Sequence, residues 1–344
     1  MRTLQQLVRS NIWNLNPRDY MREHTGEKPI RVRLDANECP YNSPFNRYPD
    51  SRQLDLRRSL SKVKNVAANE ICVANGKDEI VCNLFLCFCE PARDNVVAIH
   101  PTCGMYKMWA DINNVEYRKA MLGDGFQMSA EKILDLCDGN TKIVWICSPN
   151  VPTGNLMSRE EMELLLDCFD GIVVVDETYA DFVKARPFRS DLHRYRNLVS
   201  IDSMDAAWAS AAIRLGMAYA DKDIIAVLDK VKAPYGVNVL TQKRAIDMLA
   251  DAFDVEKWAS TIRLERQRMM EAFAMLPFCV KVYGSDANFF LAQVDDADKV
   301  YEYLLGQGIA VCNCNNVAGC GNCLRITVGS KSENNELLAA LRKY

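Results

Sequence analysis

From about residue 70, short apolar runs alternate with stretches whose apolar positions recur every three or four residues. The runs at 96–99, 143–147, 171–176, 198–203 and 216–220 are uninterrupted and brief, which predicts strands buried on both faces. Between them, Ile80, Val81, Leu84, Phe85 and Phe88 share one face of a helix that opens at Lys77 or Asp78. Residues 131–136 and 159–169 repeat that pattern. Strands alternating with helices predict an α/β fold with a mainly parallel sheet covered on both sides, a three-layer body.

The character changes after Pro234. A long charged stretch over 255–274 predicts one extended helix. It is followed by strand-like runs at 280–283, 288–294, 310–314 and 324–328, with a helix over 297–305 and another at the end. The expected organisation is an N-terminal arm (1–30), a segment at 31–45 associated with the small domain or the cleft, a large domain (46–250) and a smaller C-terminal α+β domain (251–344). The first 30 residues are polar and irregular, which predicts an arm lying on the surface or on a partner chain.

Composition narrows the classes. The chain has 344 residues, 49% hydrophobic and 25% charged, which is globular and argues against disorder or a coiled coil. A formal net charge of −3 excludes a strongly basic nucleic-acid surface as the main business. No apolar run reaches the roughly 20 residues that cross a bilayer, and the start lacks the apolar core of a signal peptide. A cytoplasmic protein with no membrane partner is expected. The 14 cysteines, with Cys82, Cys87, Cys89, Cys147 and Cys168 in apparent core segments, read as reduced thiols packed as small hydrophobes.

Candidate chemistry gathers at the carboxyl ends of the predicted strands, where open α/β sheets place their sites. Three segments stand there: Cys147-Ser148-Pro149-Asn150-Val151-Pro152-Thr153-Gly154, Val175-Asp176-Glu177-Thr178-Tyr179, and Ser203 through Arg214-Leu215-Gly216. Taken singly, each has an ordinary reading. Asp176 could cap a helix, Arg214 could sit in a surface ion pair, and a glycine before a helix is common. Taken together with Asn75-Gly76-Lys77-Asp78-Glu79, the set resembles the fold-type-I aminotransferases that use pyridoxal phosphate. Leu34-Asp35-Ala36-Asn37-Glu38, Arg47-Tyr48-Pro49-Asp50, Pro101-Thr102-Cys103-Gly104-Met105-Tyr106, Ser285-Asp286-Ala287-Asn288-Phe289 and Leu324-Arg325-Ile326-Thr327-Val328-Gly329 resemble the landmarks of the histidinol-phosphate aminotransferases in particular. The likeness covers essentially the whole chain, in order.

That resemblance implies roles. Backbone N–H groups of Gly76, Lys77 and Asp78 at a helix N-terminus would hold the cofactor phosphate, with Arg214 adding a charge-assisted contact. Asp176 would keep the pyridine nitrogen protonated, so that the ring serves as an electron sink. Tyr179 would bond the ring oxygen, and Tyr48 would reach the neighbour's phosphate across a homodimer interface. Asn37, Arg22 and Arg325 would bind substrate, Arg325 as a bidentate fork for its acidic group. Lys77 itself is expected to point to solvent. The lineage reaction is amino transfer between glutamate and imidazole-acetol phosphate in histidine biosynthesis.

Against that pattern, one position is decisive. The family lysine stands eight residues before the arginine, and eight before Arg214 is Ala206; no lysine occurs between Lys184 and Lys222. Alanine is neither a nucleophile nor a general base, so no catalytic set is intact. The cofactor-contacting positions have also diverged. Val151 stands where an asparagine would bond the ring oxygen, Cys103 where a tyrosine would stack on the ring, and Cys312 where a second arginine would hold substrate phosphate. Asp205 stands where serine is usual, just before the missing lysine, and a carboxylate next to a phosphate dianion is opposed by roughly 4 kcal/mol per charge pair at about 4 Å and an effective dielectric of about 20. Pyridoxal phosphate, if held at all, is expected to be non-covalent and weakly bound.

Three readings stay open: a diverged pseudoenzyme, an active or engineered Lys→Ala aminotransferase, and a thiol-rich metal-binding or interaction protein on a reused scaffold. The last rests on Cys312, Cys314, Cys320 and Cys323, four thiols within 12 residues, whose soft ligands suit zinc or an iron–sulfur cluster. The paired C-x2-C halves of a zinc ribbon are absent.

Overall fold

The computed structural model describes residues 2–16 and 31–344. Its centre is a seven-stranded sheet built from β1 (Ile71–Asn75), β2 (Asn95–His100), β3 (Glu116–Met121), β4 (Thr141–Cys147), β5 (Ile172–Asp176), β6 (Leu198–Ser203) and β7 (Leu215–Ala220), in the order β1-β7-β6-β5-β4-β2-β3. Strands β3, β2, β4, β5 and β6 run parallel, and β7 runs antiparallel to both β6 and β1.

Alternate residues along each strand feed two separate cores. Val97, Val144, Val173 and Val175 face one layer, with the helices Leu54–Lys64, Ala130–Asp135, Arg159–Cys168 and Val239–Ala250. Val96, Trp145, Val174 and Ile201 face the other, with Lys77–Phe88, Gly104–Ile112 and Lys222–Val231. Both strand faces are therefore buried, which is why these strands read as continuous apolar runs rather than as alternation.

The N-terminal stretch corrects the expectation of an irregular arm. Residues Leu4–Leu7 and Ser10–Trp13 are short helices docked on this chain's own large body. Leu7 and Val8 are buried in its core, and Arg9 N–H donates to the Cys87 carbonyl at 2.8 Å. Leu4, Ile12 and Trp13 pack against the same core, and Arg9 also pairs with Glu90 at 3.2 Å.

The helix Ala252–Ala274 leads into the C-terminal lobe, a four-stranded antiparallel sheet of β8 (Cys279–Val282), β9 (Phe289–Val294), β10 (Cys312–Asn313) and β11 (Cys323–Thr327), in the order β10-β11-β9-β8. The expected strand at 310–314 shrinks to two residues, and Cys168, read as core, is exposed at a helix end. The two lobes are clamped where β4 ends. Asp286 N–H donates to the Gly154 carbonyl at 2.7 Å, and the Asp286 carboxylate accepts from Leu156 N–H at 2.9 Å. Gly154 has φ +85°, and a Cβ there would lie 2.5 Å from Ser285 Oγ, so only glycine permits the contact.

Candidate functional site

The carboxyl ends of β4, β5 and β6 and the turn from β1 into Lys77–Phe88 converge on one point. Gly76 has φ +83° and precedes the helix; a Cβ on it would meet Arg214 Nη2 at 2.6 Å. A Cβ on Gly216 would meet Gly76 C and Lys77 N at 2.4 Å. These two glycines let the loop, the arginine and β7 approach closely enough to shape an anion cradle at the helix N-terminus.

The cradle is no longer simply positive. Arg214 Nη2 lies 3.2 Å from Asp78 Oδ2, and Arg214 Nη1 lies 3.6 Å from Asp205 Oδ2. Two carboxylates flank the one guanidinium, so an incoming anion meets local negative charge. Burial, the largest influence, raises the Asp205 carboxyl, and Arg214 opposes that rise.

At the centre of the site lies Asp176, at the end of β5 and wholly buried. Its Oδ2 accepts from Lys77 Nζ at 2.7 Å and from Tyr106 Oη at 2.7 Å. Its Oδ1 accepts from Thr178 N at 3.1 Å and from Thr178 Oγ1 at 2.5 Å. Lys77 therefore does not point to solvent, as expected from sequence; its side chain is 13% exposed and turns inward. A buried carboxylate within reach of a four-carbon stem explains the correction, since its charge draws the ammonium in. Burial alone would push the Asp176 carboxyl up and the Lys77 ammonium down. For Asp176 the Lys77 charge together with the hydrogen bonds from Lys77, Thr178 and Tyr106 outweighs burial, and for Lys77 the Asp176 charge with the smaller pull of Cys103, Cys147 and Tyr179 does so; Asp176 ends below the usual carboxylate range and Lys77 well above the usual lysine range.

The remaining positions divide. Tyr179 is half-buried, set edge-on to Phe289 at 5.1 Å between centroids, and burial pushes its hydroxyl up to about 12. Arg325 on β11 lays its guanidinium 5.4 Å from the centre of the same Phe289 ring. Cys103 is half-buried beside Lys77, and burial pushes its thiol up. Ser203 is buried at the end of β6 and its hydroxyl accepts from Asp205 N–H at 3.3 Å. Val151 is half-buried, while its neighbour Asn150 is spent on the loop itself, bonding Thr102, Thr153 and the Pro101 carbonyl. Ala206 is half-buried, packed against the core beside Trp208. That loop is pinned from below: Trp208 Nε1 donates to Asp181 at 2.8 Å, and Lys64 Nζ bridges Asp181 at 2.9 Å and Asp202 at 3.0 Å.

Tyr48 is exposed and stacks on Tyr235 at 4.5 Å, and Asn37 is exposed in the left-handed region. Arg22 lies outside the described residues. Tyr106 is the functional side chain that sequence reading left without a role. Its place one helical turn after the Pro101-Thr102-Cys103 segment, on the face buried against Trp145, was the available signal.

The cysteine group packs as a small core. Cys314, Cys320 and Cys323 are buried with Leu291, and Cys312 Sγ lies 4.0 Å from Cys314 Sγ. Burial pushes Cys314 and Cys320 up to about 12 and Cys323 up to about 11, so these thiols keep their protons. Among the described residues, no three His, Cys, Asp or Glu side chains are placed to share a metal ion.

Comparison with known proteins gives this geometry its lineage. The family model for "Aminotransferase class I and II" matches residues 10–341. The chain belongs to the class I and II aminotransferase family. Histidinol-phosphate aminotransferases of Bacteroides fragilis and Bacteroides thetaiotaomicron are 51% and 52% identical over 344 residues, covering all of this chain and 100% and 99% of theirs. Among solved structures, the Clostridium acetobutylicum histidinol-phosphate aminotransferase superposes with a TM-score of 0.80 at 24% identity, over 87% of this chain and 90% of its own. The Sinorhizobium meliloti enzyme, solved in complex with pyridoxal-5'-phosphate, gives 0.79 at 19% identity, over 86% of this chain and 82% of its own.

Pyridoxal phosphate is the group this family implies, and the residues present do not fit its covalent form. The glycine-shaped cradle and Arg214 are present, but no lysine lies between Lys184 and Lys222, and Ala206 stands where the sequence reading expects the amine that would bond it. The carboxylate for its ring nitrogen already has four donors.

Proposed function

We propose that this protein is a non-catalytic member of the histidinol-phosphate aminotransferase lineage. Its ancestral reaction is amino transfer between glutamate and imidazole-acetol phosphate. The observation that carries the reading is Ala206, half-buried on the loop after β6 and eight residues before Arg214. Nothing at that position can form a bond to a carbonyl carbon or carry a proton between two carbons. The reading includes a cytoplasmic homodimer that keeps an acidic small molecule near Arg325 in the cleft and holds pyridoxal phosphate weakly and without a bond. No helix of the described residues is long and apolar enough to cross a membrane.

The test uses purified full-length protein mixed with pyridoxal phosphate, reduced with borohydride and mapped by mass spectrometry. A parallel assay measures amino transfer from glutamate with imidazole-acetol phosphate. The expected result is no stoichiometric adduct at a cleft lysine and no turnover above the cofactor-free control. A single adduct at one lysine together with turnover would falsify the reading.

A further inference from the structure

Asp176 is the most heavily partnered carboxylate of the site, and its partners are unequal. A carboxylate offers about four lone-pair directions. Thr178 N, Thr178 Oγ1, Tyr106 Oη and Lys77 Nζ take them all. Thr178 belongs to the same turn as Asp176, and Tyr106 is fully buried beneath it with its ring stacked on Trp145 at 4.8 Å. Those three donors cannot leave without unpacking the core. Lys77 arrives from the opposite side, from the first residue of the helix at the cradle, on a stem that is 13% exposed. It is also the only one of the four that brings a charge. Its ammonium sits close enough to Cys103, Cys147 and Tyr179 for their charges to couple to it, and of these Cys103 and Tyr179 are only half-buried.

We infer that Lys77 is a built-in counter-ion standing where a cationic ring of a ligand would meet Asp176, so that it determines the site's exclusion of pyridoxal-type ligands. This rests on the lineage reading above. A protonated ring nitrogen approaching Asp176 has no free oxygen lone pair to bond and meets a like charge held 2.7 Å from the same oxygen. The exclusion thus has two independent parts in this chain. Ala206 removes the covalent bond, and Lys77 removes the non-covalent anchor.

Pyridoxamine phosphate is the suitable probe, because it carries the ring and the phosphate but no aldehyde to react with stray lysines. Equilibrium dialysis against the full-length protein is compared with Lys77→Ser and with Lys77→Ser/Asp176→Asn. The expected result is weak binding to the parent protein, a gain of about tenfold or more in Lys77→Ser, and loss of that gain when Asp176 is also replaced. Equal affinity of the parent and Lys77→Ser overturns the inference, as does a gain that survives Asp176→Asn.

A second measurement needs no variant that must fold. Limited acetylation of the parent protein, read by mass spectrometry, is expected to label Lys77 about tenfold or more slowly than Lys107, whose side chain is 50% exposed. Labelling at equal rates overturns the inference. Neither readout depends on turnover. An active parent protein would end the non-catalytic reading, whereas tight pyridoxamine phosphate binding to an inactive parent would end the role of Lys77 and the weak cofactor binding but leave the lack of catalysis standing.

Discussion

Replacing Lys77 by methionine keeps the length of the side chain and deletes its charge, which leaves Asp176 buried with only the Thr178 and Tyr106 donors. Breaking a buried pair from one side costs about 3 kcal/mol, so Lys77→Met is expected to lower the urea midpoint clearly at neutral pH. The pH dependence identifies the cause. In the parent protein Asp176 lies below its ordinary range, so its contribution is present above the unfolded value and lost as pH falls through the depressed folded one. Lys77 lies above its range, so its contribution is full below the ordinary lysine value and lost only as pH rises through the raised one. The pair is therefore intact at neutral pH. In Lys77→Met, burial acts on Asp176 without an opposing ammonium and raises it. The folded state then takes up a proton more readily than the unfolded one, and the penalty fades as pH drops. Unfolding at about pH 7 and about pH 4 should show a smaller deficit at the lower pH. An equal deficit at both would mean that lost packing, and not lost charge, is what the variant measures.

Among the secondary-structure elements, β7 sets the site by being thin at one place. Gly216 faces Ala74 of β1 and Ser203 of β6 in register, and its missing Cβ makes room for the backbone of Gly76 and Lys77. Backbone cannot move aside as a flexible side chain can. Gly216→Ala is expected to cost about 2 kcal/mol in urea unfolding and to speed acetylation of Lys77, because the loop must retreat. A stable variant with unchanged labelling would show that the loop is not held by this contact. The same elements show what was legible in the chain. The five apolar runs became β2, β4, β5, β6 and β7, since strands buried on both faces leave an uninterrupted signature. Strand β3 was missed because it is an edge strand whose only buried residue is Ala120, so its sequence carries charge instead of apolar runs. Strand β1, short and ending at exposed Asn75, was lost against the helix that follows. The motif positions at Asp176, Tyr179 and Arg214 could be placed at strand ends from sequence. The inward turn of Lys77 could not, because it depends on a carboxylate 99 positions away that becomes its neighbour only through the sheet.

At the scale of the whole molecule, exposed large hydrophobics are spread over several elements, and one group of them falls on two neighbouring segments. Tyr48 stacks on Tyr235, and Gln242 Nε2 donates to the Asp50 carbonyl at 3.4 Å, which brings residues 45–54 beside 235–242. Phe45, Tyr48 and Leu54 from the first segment, and Val239 and Leu240 from the start of the following helix, are all exposed large hydrophobics. Scattered apolar side chains on a surface need no explanation, but several on adjoining segments mark an interface. A homodimer built on this face is the expected state, and it would explain why segment 31–54 carries so many exposed apolar side chains. Sedimentation equilibrium should report twice the 38.9 kDa chain mass at micromolar concentration. Phe45→Asp with Leu240→Lys should shift the protein toward a monomer of unchanged circular dichroism. The two charges are opposite, so a dimer that survives by pairing them would itself be informative: Leu240→Lys alone must then dissociate it. A parent protein that sediments as a monomer at every concentration would place the exposed face outside any self-association.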